Sequence, residues 1–159
     1  MVTKKVGVSS KKQWGFTLLE VLLVVAIISI LAGIVLIAIN PSKQLGDTRN
    51  AQRSNDVTTI LDAVYQYSVD TNAGIPASIT ATNTEVCATT GALCTSGGLI
   101  DLGVVTANAK YLVAIPQDPK CTTVCAVNGT GYKILKDVNN RVTVSAPFAE
   151  SGKTISVTR

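Results

Sequence analysis

Histidine is absent from the 159-residue chain. That removes Ser-His-Asp and Cys-His nucleophile arrangements and the usual ligands of catalytic zinc. Aromatic residues make up only 4% of a chain that is 47% hydrophobic, so few rings are available for stacking nucleic-acid bases. No glycine-rich phosphate loop is present. The first cysteine is Cys87, too late to accept a lipid near an N-terminal cleavage point. No A-x-A pattern closes the first apolar run, as it would in an ordinary secretory signal. Carboxylates could in principle pair for acid–base chemistry, but Asp56, Asp62 and Asp70 are placed as the solvated side of a helix. The sequence therefore argues against an enzyme, and no cofactor or metal site is expected.

What the chain does have is aliphatic and concentrated. Residues 16–39 read FTLLEVLLVVAIISILAGIVLIAI, with Glu20 the only charge. At ~1.5 Å per residue this run makes about 36 Å of helix, enough to cross a hydrocarbon core of about 30 Å with some tilt. Lys4, Lys5, Lys11 and Lys12 all precede Gly15. By the positive-inside rule they stay in the cytosol, and the chain after Ile39 lies outside it. Removing these four from the 14 basic residues leaves ten, which balance the ten acidic ones. The net charge of +4 is thus a topology signal, and strong nucleic-acid binding is not expected.

A plain signal anchor is the bland reading of such a run. Two details weigh against it. Polar KKQWG gives way abruptly to FTLLE with a glycine at the junction, and Glu20 lies one turn inside the apolar run. A carboxylate deep in hydrocarbon costs about 2.5–3.5 kcal/mol on insertion scales, so it needs a wet position, a partner or a function.

Gly15-Phe16-Thr17-Leu18-Leu19-Glu20 resembles the class III signal motif of type IV pilins and type II secretion pseudopilins. The resemblance implies that a membrane-embedded aspartyl peptidase cuts between Gly15 and Phe16 and that Phe16 becomes an N-methylated terminus. It also implies that Glu20 neutralises the terminal amine of a neighbouring subunit during assembly. Two opposite charges buried together cost far less than either one stranded. The implied partners are the prepilin peptidase/methylase, identical or related pilin subunits, an inner-membrane assembly platform and, before assembly, the lipid bilayer. The implied fold is pilin-like α+β: a long N-terminal helix, membrane-spanning in its first half and amphipathic in its second, packed on a small antiparallel sheet. Type IV pilins often carry a proline near the twenty-second mature residue. Here that position is Ile37, the proline comes at Pro41, and Gly33 is the only earlier breaker. Gly33 reads equally as a breaker or as a close-packing site between membrane helices.

The expected organisation is a basic leader at 1–15, a transmembrane and polymerisation helix at 16–39, an amphipathic stalk helix and turn at 40–76, and a small exported domain at 77–159. Asn40-Pro41-Ser42 predicts a break or kink. Val57, Ile60, Leu61, Val64 and Tyr67 then recur at helical spacing, and Asn72-Ala73-Gly74-Ile75-Pro76 should end the helix. Residues 77–98 read as irregular loop. Residues 99–105 and 111–115 suit strand or a turn of helix, and Pro116-Gln117-Asp118-Pro119 suits a turn. Tyr132-Lys133-Ile134-Leu135 and Val142-Thr143-Val144 predict a hairpin, with a third strand at 154–158 beyond the turn Glu150-Ser151-Gly152. The segment YLVAIPQDP, with the strand that follows, also resembles pseudopilin-like subunits. The acidic calcium loop of the major secretion pseudopilins finds only Glu150 after Asp137, so no calcium site is carried over.

Cys87, Cys94, Cys121 and Cys125 all follow the apolar run, where oxidation is favoured. The locally simplest pairing is Cys87–Cys94 with Cys121–Cys125. A cross-pairing and free thiols in a reducing compartment stay open, and the gaps do not suit paired zinc knuckles. Two function classes follow. One is a structural filament subunit: a single-pass cytoplasmic membrane protein, N-in and C-out, that later joins an extracellular or periplasmic filament, either a type IV pilus or the pseudopilus of a type II secretion or DNA-uptake system. The other is a minor tip pilin that binds DNA or a surface through loops 77–98 and 120–130.

Overall fold

The computed structural model describes residues 15–159. The basic residues expected to form a leader, up to position 14, lie outside the described residues. The chain divides into two compact units, Met1–Pro41 and Ser42–Arg159.

In the first unit, helix α1 spans Leu18–Ala38, and all of its residues are exposed. Its Leu, Ile and Val residues surround it on every side, so it has no polar face to turn to water. Among the described residues it is the one helix long and apolar enough to cross a membrane. The helix runs through Gly33 without interruption, and a methyl group at Gly33 would meet nothing within 4 Å. It ends where Ile39 turns extended (φ −97°, ψ 116°). Proline at 41 disfavours helical geometry at Asn40 while suiting the first position of the next helix.

That next helix, α2, spans Pro41–Thr71 and stops just before Asn72, which has a positive φ of 51°. Within the second unit, α2 buries Val57, Ile60, Leu61 and Val64, each at zero exposure, against the sheet. The short elements that follow are β1 (Thr84–Cys87), α3 (Ala92–Ser96), α4 (Gly103–Thr106), a 3₁₀ turn at Ala107–Ala109 and α5 (Cys121–Val124). Strands β2 (Gly129–Lys136), β3 (Val142–Ser145) and β4 (Ser156–Thr158) complete the chain. The four strands form one antiparallel sheet in the order β1-β2-β3-β4. Ile134 pairs with Val144, and Val144 with Val157. Ile134 and Val144 join Val86, Tyr132 and Val142 in the core under α2. The architecture is α+β, a helix layered on a small antiparallel sheet.

Three stretches differ from expectation. Residues 111–115 form neither strand nor helix, and Leu112 N–H bonds back to Val105 O at 3.1 Å instead of joining the sheet. Residues 77–98 contain β1 and α3, and the sheet has four strands where about three were expected. Thr84-Glu85-Val86-Cys87 is too short to show an alternation of its own. Its strand geometry comes from pairing with β2 and is broken by a register shift between Glu85 and Cys87. The last strand is also shorter than expected, starting at Ser156.

Ile60→Ala should destabilise the full chain in detergent by about 2–5 kcal/mol, because it empties a fully enclosed position. Urea unfolding followed by tyrosine near-UV circular dichroism would measure it. A loss below about 1 kcal/mol would mean that the α2–sheet layer is not the core.

Candidate functional site

The residues expected to be processed sit at the start of α1. Gly15, Phe16 and Thr17 precede the helix, and Phe16 is 83% exposed. Thr17 is extended (φ −78°, ψ 148°) and caps the helix, its Oγ1 accepting from Glu20 N–H at 3.2 Å. A Cβ at Gly15 would meet nothing within 4 Å. The Gly15–Phe16 peptide is therefore non-helical backbone with open surroundings, directly ahead of a capped helix. Glu20 occupies the first helical turn, where the unpaired backbone N–H groups favour a negative charge. Thr17 is a cap that hydropathy alone does not find. The signal for it is the spacing Thr17-Leu18-Leu19-Glu20, a Ser/Thr-x-x-Glu box before an apolar run.

The cysteines lie in the second unit. Cys87 bonds Cys94 across a Cα separation of 5.6 Å, and Cys121 bonds Cys125 across 4.8 Å. The first pair is fully buried, packing with Leu99 in a small second core. Among the described residues no group of three or more His, Cys, Asp or Glu side chains could hold a metal ion.

A charged cluster that the sequence did not reveal fastens α2 to two loops. The Arg53 side chain has zero exposure and grips Asp118 through two bonds, Nε to Oδ2 at 2.6 Å and Nη2 to Oδ1 at 3.0 Å. Its Nη1 donates to Asn50 Oδ1 at 2.9 Å and to Glu150 Oε1 at 3.0 Å. One turn earlier, Arg49 holds both oxygens of Glu150, at 2.7 and 2.6 Å. Lys120 Nζ reaches Glu150 Oε2 at 3.0 Å. Asn50 exchanges two 2.9 Å bonds with the Glu150 backbone. Arg49, Lys120 and Arg53 together hold the Glu150 carboxyl far below the usual carboxylate range, and its bond to Arg49 is the largest cause. The Asp118 bond raises the Arg53 guanidinium above its ordinary value. Nearby, the Tyr132 hydroxyl donates to Asp56 Oδ2 at 2.6 Å; burial first, then that carboxylate, raises the phenol. Each of these groups is committed to a partner in the fold, so the cluster is suited to holding elements together.

Residues 10–36 match the family model for the prokaryotic N-terminal methylation motif. No curated protein and no solved structure matches the chain. The match spans the polar-to-apolar junction, the capped helix start and most of α1, so the geometry and the motif coincide. A chain with an apolar anchor helix and a small α+β unit is thus joined to a specific N-terminal signal. That signal is the class III motif of type IV pilins and pseudopilins, and together with the apolar helix α1 it supports a membrane-anchored chain. The motif implies processing by a prepilin peptidase and assembly with other pilin subunits.

Two predictions follow from the cluster. Arg53→Met leaves the buried Asp118 carboxylate without its opposite charge and should cost about 3–5 kcal/mol in urea unfolding, whereas Arg53→Met/Asp118→Leu should recover a good part of it. Glu150 is depressed in the fold, so it contributes stability above its unfolded value of about 4.3, and that contribution is lost as pH falls toward the folded value. Stability should therefore be level from about pH 7 to 5 and decline below about pH 4. Glu150→Gln should be less stable at neutrality with a shallower acid slope. Some slope should persist, because Asp137 and Asp70 are lowered too.

Proposed function

We propose that the chain is a prepilin that is cut between Gly15 and Phe16, N-methylated on Phe16, and assembled as a structural subunit of a type IV pilus-like filament through its apolar N-terminal helix. The observation that carries this reading is the exposed, non-helical Gly15–Phe16 junction, inside the matched motif and directly before a capped apolar helix. A peptidase needs extended backbone, and cutting there leaves the helix cap at Thr17 intact. Residues 1–15 are then the leader and 16–39 the membrane and polymerisation segment. Residues 40–76 form the stalk helix and turn, and 77–159 the exported domain, stapled by Cys87–Cys94 and Cys121–Cys125.

Before assembly the helix lies in the cytoplasmic membrane with the second unit outside, and an inner-membrane platform extracts it. Glu20 pairs with the methylated amine of a neighbouring Phe16, which relieves both of a lone charge in an apolar setting. The carboxylate's place in the first helical turn, one turn from the new terminus, supports this role. A pseudopilus of a type II secretion or DNA-uptake system uses the same chemistry at the same residues.

Mass and N-terminal sequencing of the protein in sheared surface filaments and in membranes test the proposal. A chain beginning at methylated Phe16 in the sheared fraction is the expected result. The processed chain confined to membranes would point to a pseudopilin or minor subunit, and an intact Met1 in both fractions would sink the proposal. Glu20→Ala should still be cleaved, yet its incorporation into filaments should fall at least about tenfold, equivalent to about 1.4 kcal/mol in assembly. Normal incorporation of the cleaved variant would remove Glu20 from the mechanism.

A further inference from the structure

The two disulfides differ in what they seal. Cys87 and Cys94 have zero exposure, and the Asn128 amide donates to Cys87 Sγ at 3.1 Å, closing that bond inside the small second core. Cys121 and Cys125 are half-buried, and Thr122, Thr123 and Val124 between them are exposed. The Cys121–Cys125 bond also spans the shorter segment, a sequence separation of 4 against 7, and so constrains the unfolded chain less. Access to an attacking thiolate governs exchange, which sets the two bonds apart.

The half-buried bond closes residues 121–125, directly after the two charges, Asp118 and Lys120, that meet the cluster on α2. Asp118 N–H donates to Thr130 O at 2.8 Å, its Oδ1 accepts from Lys120 N–H at 2.8 Å, and its carbonyl accepts from Cys121 N–H at 2.8 Å. Asp118 then grips Arg53, and Lys120 grips Glu150. At the far end of the loop, Cys125 Sγ lies flat on β2 at Gly131, where φ is +82° and any Cβ would come within 2.8 Å of both Cys125 Sγ and Asp118 Cβ. The disulfide, Asp118 and β2 are thus packed as one unit over a glycine.

We propose that Cys121–Cys125 is a thiol-exchange site, opened by an external dithiol and closed again by the disulfide form of that reagent while Cys87–Cys94 stays shut, and that it sets whether the 118–125 loop holds Asp118 and Lys120 against α2. A thiolate of the dithiol attacks one sulfur of the pair, forming a mixed disulfide and releasing the other sulfur as a thiolate. The second thiol of the reagent then displaces the protein sulfur. Two electrons and two protons pass to Cys121 and Cys125, and the reagent leaves as its own disulfide. The partner class is a dithiol oxidoreductase of the compartment that receives the second unit. Only the choice of that compartment rests on the prepilin reading; the order in which the bonds open does not.

The test uses the purified full chain, leader included, in detergent under argon with graded dithiothreitol. Samples are quenched with N-ethylmaleimide, peptides are weighed to locate the label, and amide hydrogen exchange is recorded alongside. Cys121 and Cys125 should be labelled at least about tenfold sooner than Cys87 and Cys94. As they open, exchange should rise about tenfold or more at residues 118–125 and around Arg53, with Ile134 and Val144 unchanged. Simultaneous labelling of all four cysteines would overturn the proposal, as would opening of Cys121–Cys125 with exchange around Arg53 unaltered. Cys121→Ser/Cys125→Ser should reproduce the loosened pattern without reductant, and the wild-type time course decides the matter even where that variant folds poorly. An uncleaved leader in cells would defeat the prepilin reading and leave this result untouched.

Discussion

Arg53 brings a full positive charge to a place with no access to water, and the second unit is arranged around satisfying it. A guanidinium cannot discharge itself by losing a proton at any ordinary pH, so it must be met by acceptors in a planar fork geometry. Asp118 supplies one pair of acceptors, and Asn50 and Glu150 supply the others. These residues come from α2, from the turn before α5 and from the turn before β4, so the charge is satisfied only when all three segments have arrived. Apolar contacts between α2 and the sheet provide the general drive to collapse. The ion cluster fixes where the two loops must lie when collapse is complete, because a misplaced loop leaves a buried charge unpaired.

The buried stripe of α2 runs continuously through Gly46, Asn50, Arg53, Val57, Ile60, Leu61 and Val64. Apart from the adjacent Ile60 and Leu61 the spacings are three and four, so one face points inward along most of the helix. Its lower half is apolar and its upper half polar. Gly46 belongs to the stripe, since a Cβ added there would stand in ordinary contact with Glu150 Cβ at 3.5 Å. α1 follows the opposite rule, apolar on every side and exposed along its whole length, with one acid placed where the helix start can accommodate it. The first unit is therefore built for an apolar surrounding that other molecules must supply. The second supplies its own.

Much of this was legible in the residues. Length and hydropathy mark α1, proline at 41 marks the break after it, and Val57, Ile60, Leu61 and Val64 mark the inward face of α2. The breaker cluster after Thr71 and the hairpin through Asp137 and Asn140 were equally plain, since turn chemistry is local. The start of α1 was only half legible: Glu20 stands out as a charge in an apolar run, while Thr17, its partner across the first turn, leaves no mark in hydropathy. The second unit's charges were harder still. Arg49 and Arg53 look like solvated helix residues by any hydrophobic count, and Asp118 looks like part of an ordinary proline turn. β1 was hidden because four residues are too few for a period-2 pattern to declare itself.

The sequence by itself determined the membrane-length helix, the motif at its head, the break that follows and the apolar face of α2, because each depends on neighbours within a few residues. Tertiary structure decided which charges are buried, that Asp118 and Glu150 meet Arg53 across 65 and 97 positions of chain, and that one disulfide is sealed while the other is within reach of solvent. Those outcomes depend on segments far apart in the chain arriving at the same few ångströms. Burial and pairing are properties of that meeting, and no single segment carries them alone.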